Sequence, residues 1–230
     1  MRVSIKRDYK FVEYEIEDGD FTILEALEQI KHTKDATLSY QKGCKSEICG
    51  CCTVQVDGKP KLACGTIIKD KMVIEPLKYH RVKRDLIVDK KFSVALFRQT
   101  KAYLDVVDTD KKATKKDEKR IELQSDCILC NSCYSVCPVL EVNPNFIGPF
   151  ALTKVLRYSD DVKEKDKKSK IDAVQTNAIW DCTICGECSI ACPQGISSKD
   201  DILQLRIRSA AFGYSDPNMG SFDAYCLDWS

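Results

Sequence analysis

Thiolate chemistry dominates this sequence: 14 cysteines stand against 2 histidines in 230 residues. They come in three bursts. The first is Cys44, Cys49, Cys51, Cys52 and Cys64, the second Cys127, Cys130, Cys133 and Cys137, and the third Cys182, Cys185, Cys188 and Cys192, with Cys226 alone near the end. Runs of C-x2-C-x2-C do not suit a disulfide framework, because thiols a turn apart cannot each find a partner at the required Cβ spacing. The opening Met1-Arg2-Val3-Ser4-Ile5-Lys6-Arg7-Asp8 lacks the apolar core of a secretory signal. Ligation of metal by thiolates is therefore the expected chemistry.

The spacings select the metal. Cys44-x4-Cys49-x2-Cys52 followed by Cys64 is the plant-type 2Fe–2S pattern, with three thiolates on one loop and a fourth arriving from a later strand. Gly43 and Gly50 fit a loop that turns its amides toward sulfur and needs free φ. Cys51 is surplus to the pattern and reads as a small buried or spare thiol; Cys226 reads as unliganded. Each later burst is the full C-x2-C-x2-C-x3-C-P run of a two-cluster ferredoxin, whose fourth Cys ligates the other cluster. One 4Fe–4S cluster is expected on Cys127, Cys130, Cys133 and Cys192, the other on Cys137, Cys182, Cys185 and Cys188. Structural zinc is the competing use of such thiolates, but zinc favours paired C-x2-C knuckles and has no need of an exchanged fourth ligand.

Three such clusters in one chain make an electron relay, each passing one electron at a time. No phosphate-cradling glycine loop, Ser/His/Asp set or carboxylate pair accompanies them, and His32 and His80 read as ordinary surface residues. The relay therefore needs a two-electron centre at one end, which implies a flavin-bearing partner.

The elements that hold the cysteines are partly legible. Val3-Ser4-Ile5 and Val12 to Ile16 alternate as a hairpin. Thr22 and Glu25 form a capping box ahead of an apolar helical stripe, Ile23, Leu24, Leu27 and Ile30. Thr53-Val54-Gln55-Val56 turns at Asp57-Gly58 and returns through Leu62 to deliver Cys64. Pro149 opens a helix carrying Ala151, Leu152, Val155 and Leu156; Ile171, Val174 and Ile179 suggest another, and Ile202, Leu203, Leu205 and Ile207 a third. The fold class is α+β. A β-grasp 2Fe–2S ferredoxin domain is expected over residues 1–103, a charged linker over 104–120, and an all-α domain with two cubane-type clusters over 121–230. Within the linker, 10 of the 13 residues 108–120 are charged. A second charge-dense stretch, 160–170, reads as a surface loop.

Composition closes other classes. Lys and Arg number 36 against 35 Asp and Glu, a net charge of +1 that gives no basic footprint for nucleic acid. The longest stretch free of charge, residues 127–140, has 14 residues broken by four Cys and a Pro, short of the ~20 apolar residues of a membrane span. Any membrane attachment is expected through a partner.

Beyond the cysteines, the chain resembles the iron–sulfur subunit of the succinate dehydrogenase/fumarate reductase family over roughly residues 1–212. Cys44-Lys45-Ser46-Glu47-Ile48-Cys49-Gly50-Cys51-Cys52 is similar to the family's C-R-E-G-x-C-G-S-C loop. Ile74-Glu75-Pro76-Leu77 and Arg84-Asp85-Leu86-Ile87-Val88-Asp89 resemble its I-x-P-L and R-D-L-V-V-D segments. Asn143-Pro144-Asn145-Phe146-Ile147-Gly148-Pro149 is similar to its N-P-D-K-F-x-G-P stretch, one residue shorter. The resemblance implies electron transfer between an FAD-containing subunit acting on succinate or fumarate and a quinone-reactive or thiol-reactive partner. Three departures stand out. Most members carry another residue at the position of Cys185, leaving a 3Fe–4S third cluster, whereas four thiolates here imply 4Fe–4S. Val139 follows Cys137-Pro138 where the family has a quinone-site Trp, and Thr183 replaces a His that often follows the third-cluster Cys. Together they resemble the branch whose outlet is a cysteine-rich CCG-motif protein rather than a haem-bearing membrane anchor. The resemblance implies a peripheral place on the membrane, with the cytoplasmic face expected and the periplasmic face reached by co-export with a signal-bearing flavin subunit. Iron–sulfur subunits of glycolate- or glycerol-3-phosphate-type oxidoreductases are the alternative; those usually lack the N-terminal 2Fe–2S unit or fuse the CCG region to the same chain.

Overall fold

Alternating apolar residues at the N-terminus, Val3 and Ile5 against Tyr14 and Ile16, are buried on one side of a hairpin. A computed structural model describes residues 1–217 of the chain, so Cys226 lies outside the described residues. The hairpin is β1 (Arg2–Arg7) and β2 (Lys10–Glu15), followed by α1 (Ile23–Thr33). Then come β3 (Thr53–Val56), β4 (Lys59–Leu62), β5 (Val73–Glu75), β6 (Val82–Arg84) and β7 (Ile87–Val88). Helices follow: α2 (Phe92–Gln99), α3 (Lys115–Ser125), α4 (Ser132–Ser135), α5 (Val139–Val142) and α6 (Pro149–Ser159). The last are α7 (Lys167–Asp172), α8 (Glu187–Ile190) and α9 (Ser198–Ala211). Two compact units contain them.

The first unit comprises Met1–Phe92, Cys127–Val136 and Glu187–Ile196. Its main sheet runs β2-β1-β5-β3-β4. β1 and β5 are parallel, while β1–β2, β3–β5 and β3–β4 are antiparallel. This is the mixed sheet of a β-grasp. The capping box forms as expected: the Thr22 hydroxyl accepts from the Glu25 amide at 3.3 Å and the Glu25 carboxylate accepts from the Thr22 amide at 2.7 Å. Ile23, Leu24, Leu27 and Ile30 of α1 are buried in one core with Val3, Ile5, Val54, Val56 and Ile74. Each such side chain contributes about 1.5–3 kcal/mol. In the β3–β4 turn, Asp57 and Gly58 both take positive φ, 50° and 78°, which matches the strand twist.

A buried ionic cluster fixes the segment that enters the first cysteine loop. Arg7 donates to both carboxylate oxygens of Asp85 at 3.1 Å, to the Tyr14 hydroxyl at 3.1 Å and to Asp35. Asp85, 1% exposed, also accepts from the Ser39 amide at 2.8 Å. The chain just before Tyr40 and Gly43 is thus tied to the β6–β7 turn.

Among the described residues, the second unit comprises Ser93–Asp126, Cys137–Gly186 and residues 197–217. It is helical. α6 opens with Pro149 and buries Phe150, Ala151, Leu152, Val155 and Leu156. Thr153 on the same helix donates to Asp201 of α9 at 2.7 Å.

Four features differ from the sequence reading. Within the expected linker, a Thr114–Asp117 capping box starts α3 at Lys115, and that helix buries no side chain. α7 stops at Asp172, so Val174 and Ile179 are buried from turns, where Asn177 takes φ 53°. On α9, Ile202 and Leu205 are buried with Ser209 between turns of one face, which leaves Ile207 62% exposed. The stretch 160–170 is no simple surface loop. Glu164 and Lys170 are both buried and paired at 2.9 Å. The carboxylate accepts the amides of Asp105, Val106 and Asp166, and the ammonium donates to the carbonyls of Lys101 and Tyr103. Among the described residues no helix is long and apolar enough to cross a membrane.

Candidate iron–sulfur centres

The first cysteine loop, between α1 and β3, turns its amides onto sulfur. Cys44 Sγ accepts from the amides of Ser46 at 3.3 Å, Ile48 at 3.4 Å and Cys49 at 3.3 Å, and Cys49 Sγ accepts from Cys44 at 3.4 Å. Backbone in the left-handed region makes this possible: Lys45 has φ 59°, Glu47 58° and Gly50 63°. Gly43 is outside that region, so its role is space and not free φ. A Cβ there would lie 2.6 Å from Cys49 Sγ.

The four predicted thiols fall into two pairs. Cys49 is hydrogen-bonded with Cys44, and amides on its sulfur bring its pKa down to about 7. Cys52 neighbours Cys64, which the β3–β4 hairpin delivers, and burial pushes the Cys52 thiol up to about 11. Two thiolates per iron is what a 2Fe–2S cluster asks of four cysteines. Cys51 is exposed and not buried; its thiol lies 3.7 Å from the Cys49 carbonyl.

Cys127, Cys130, Cys133 and Cys192 all belong to the first unit. Cys133 is buried, and burial holds its thiol well above the usual range. The thiols of Cys130, Cys127, Cys188 and Cys192 reinforce that shift, so the distant Cys192 is brought to the same site. Cys188, expected on the other cluster, also lies within electrostatic reach. Leu129 (φ 53°) and Asn131 (φ 66°) bend this loop inward.

In the second unit, Cys137, Cys182 and Cys185 are brought together. Burial raises Cys137 to about 11, opposed by the amides of Val139 and Leu140 and reinforced by the thiols of Cys182 and Cys185. Cys182 Sγ accepts the Ile184 amide at 3.4 Å. Ile184 (φ 57°) and Gly186 (φ 87°) repeat the left-handed positions of the earlier loop at the same offsets from its cysteines. Cys188 belongs to the first unit, and Cys185 and Thr183 are exposed.

The donor set fits clusters. In a cluster each thiolate binds its own iron or shares one with a single partner. Inward amides on sulfur and wholly thiolate donors are the environment such clusters use.

Sequence reasoning missed three side chains. Lys90 Nζ donates to the carbonyls of Gly50 at 2.9 Å and Cys130 at 3.2 Å. Arg206 donates to the Cys182 carbonyl at 2.7 Å and lies 5.5 Å over the Trp180 ring. His80 is half-buried and not fully exposed: it packs edge-on against Phe92 and Tyr134, its Nε2 is buried, and burial keeps its pKa below the usual imidazole value. Charged and imidazole side chains read as exposed by type. The Lys90 partners stand 40 residues away in sequence, which left no local signal.

Comparison with known proteins agrees with this geometry. A 2Fe-2S iron-sulfur cluster binding domain matches residues 2–95, and a 4Fe-4S dicluster domain matches residues 122–196. A fumarate reductase iron-sulfur subunit of Haemophilus influenzae is 32% identical over 213 residues, covering 84% of this chain and 83% of that protein. One from Mycobacterium tuberculosis is 32% identical over 221 residues, 91% of this chain and 90% of that one. A chain of the Mycobacterium smegmatis Sdh1 complex in the apo form superposes with a TM-score of 0.84 at 22% identity, covering 94% of this chain and 98% of that chain, and shares the fold.

Proposed function

We propose, from the premise that the chain belongs to the fumarate reductase/succinate dehydrogenase iron–sulfur subunit family, how its thiols divide among three clusters and which partners they serve. The chain is the electron-transfer subunit of such a complex and carries no substrate chemistry of its own. Cys44, Cys49, Cys52 and Cys64 hold a 2Fe–2S cluster. Cys127, Cys130, Cys133 and Cys192 hold one 4Fe–4S cluster, and Cys137, Cys182, Cys185 and Cys188 a second. Bound clusters supply one-electron transfer. The residues supply thiolate donors, inward amides that stabilise the anionic sulfurs, and apolar burial that limits solvent reorganisation.

The observation that supports this division is that Cys192, distant in sequence, stands in one compact unit with Cys127, Cys130 and Cys133, where its thiol, like that of Cys188, lies within electrostatic reach of Cys133. An exchanged fourth ligand requires that meeting, and an unlinked zinc knuckle does not.

One end of the relay meets an FAD-containing subunit that interconverts succinate and fumarate. The other meets a membrane-associated partner, for which Cys185, Val139 and Thr183 support a CCG-motif cysteine-rich chain over a haem-bearing anchor. The complex lies peripherally on the cytoplasmic face.

Anaerobic purification of the complex tests the reading. About ten irons and ten inorganic sulfides per chain, with three reducible cluster signals, are expected. The co-isolated flavoprotein should reduce fumarate or oxidise succinate, with a cysteine-rich third chain. A colourless chain, or a flavoprotein acting on another substrate class, overturns it.

A further inference from the structure

Among the described residues, Lys90 is the one ammonium that touches the backbone of two cysteine loops at once. It leaves the chain between β7 and α2, and its Nζ donates to the carbonyls of Gly50 (2.9 Å) and Cys130 (3.2 Å). Gly50 belongs to the first cysteine loop and Cys130 to the second burst. The two loops have no slack there. A Cβ on Gly50 would lie 2.7 Å from the Ile128 carbonyl oxygen and 2.9 Å from Cys130 Cα.

Among the described residues, the hydrogen-bond partners of this ammonium are these two carbonyls and no carboxylate. Burial pushes its pKa down, while the thiols of Cys130, Cys51, Cys52 and Cys49 pull it back up. Lys90 is half-buried, and a cation drawn partly out of water without an anionic partner is unfavourable. The thiols of the two loops are the groups that favour its charged form.

We infer that Lys90 is a positioning residue for electron transfer: its fixed positive charge joins the first cysteine loop to the second and raises the reduction potentials of the two clusters that these loops hold. The inference rests on the cluster assignment above. Adding one electron to either cluster adds one negative charge, which a nearby cation stabilises at low effective dielectric. No proton or further reactant enters the balance.

The test is a potentiometric EPR titration of the anaerobic complex carrying wild-type chain, Lys90→Met or Lys90→Arg. Lys90→Met keeps the stem and loses the charge. It should lower the reduction equilibrium constant of the 2Fe–2S cluster and of the Cys130-bearing cluster about tenfold each, about 59 mV for a one-electron couple. Lys90→Arg keeps the charge and two donors and should stay within twofold of wild type. Should Lys90→Met lose iron, Lys90→Gln replaces it, with the same tenfold expectation. Potentials within twofold of wild type in a neutral variant with full iron overturn the inference, as does a shift in Lys90→Arg as large as that in Lys90→Met. Absence of clusters from the wild-type chain would instead defeat the cluster assignment, so the two failures are separable.

Discussion

Gly43→Ala separates fold from cluster in a single substitution. Gly43 precedes the first ligand of the loop, and a Cβ there would lie 2.6 Å from Cys49 Sγ and 3.4 Å from Cys51 Sγ. An ordinary contact begins near 3.4 Å, so Cys49 Sγ must retreat by about 0.8 Å. Without iron that is easy, because the sulfur is the end of a side chain free to rotate. Gly43 is not among the residues of positive φ, so alanine adds no backbone strain. It should even stabilise the apoprotein by about 0.4–1 kcal/mol through the unfolded chain, roughly 1–4 °C in Tm for a chain of this size. With iron bound the sulfur cannot move, because metal–ligand distances hold within about 0.2 Å.

The expected outcome is a folded chain that has lost its 2Fe–2S cluster. Iron should drop from about ten to about eight per chain, with the 2Fe–2S EPR signal gone and the other two retained. Gly58→Ala is the control: nothing lies within 4 Å of its Cβ, and φ 78° in the β3–β4 turn costs about 1 kcal/mol without touching a ligand. A Gly43→Ala chain with ten irons and an unchanged 2Fe–2S spectrum refutes the reasoning. Equal iron loss in Gly58→Ala also refutes it, since loading would then follow fold stability.

Cys185→Ser should convert one four-iron cluster to a three-iron form, seen as loss of about one iron and a new isotropic EPR signal in the oxidised protein; an unchanged iron count and spectrum would remove Cys185 from the ligand set. In iron-free protein at pH 8, Cys49, near pKa 7, is mostly thiolate, while Cys52, near 11, is about one part in a thousand. The weaker nucleophilicity of the more acidic thiol reduces that advantage, leaving Cys49 about tenfold faster toward iodoacetamide; equal rates by peptide mass spectrometry would contradict the amide-on-sulfur geometry. Lys170→Met strands the buried Glu164 carboxylate, with an expected cost of about 3–5 kcal/mol, roughly 6–20 °C in Tm. Adding Glu164→Gln should recover part of it, and a fall under about 2 °C in the single variant would contradict the buried pair.

The proposed ligands could be named from the sequence because ligation fixes spacing along the chain, and spacing survives in one sequence without any knowledge of the fold. Thr22 with Glu25, Pro149, and the Asp57-Gly58 turn were legible for a similar reason: a cap or a tight turn is settled within four residues. Lys90, Lys170 and Glu164 were not. Their polar partners include carbonyls and amides 40 to 69 residues away, and residue type alone argues for exposure. His80 failed likewise, since its aromatic cage needs Tyr134. The division into units was hidden because the third burst is split between them. Cys188 and Cys192 close that burst in sequence yet belong to the first unit, so a cut in the chain cannot reproduce the grouping.

The duplication of the second and third bursts runs deeper than their cysteines. Leu129 and Ile184 both take left-handed backbone two residues after the first Cys, and Asn131 and Gly186 do so just after the second. Leucine and a β-branched isoleucine are poor choices for that region, at about 1–3 kcal/mol each. Residue preference therefore cannot be the cause. In the first loop, the amides that follow two of the left-handed residues, Ser46 after Lys45 and Ile48 after Glu47, are aimed at Cys44 Sγ. The same strain there has a direct chemical yield. Amide dipoles converging on sulfur offset the backbone cost once the sulfur carries negative charge, which couples cluster insertion to folding. Those dipoles also raise the potential of whatever they surround. A loop strained in this way is suited to holding an electron carrier, and its strain is offset best when the electron is present.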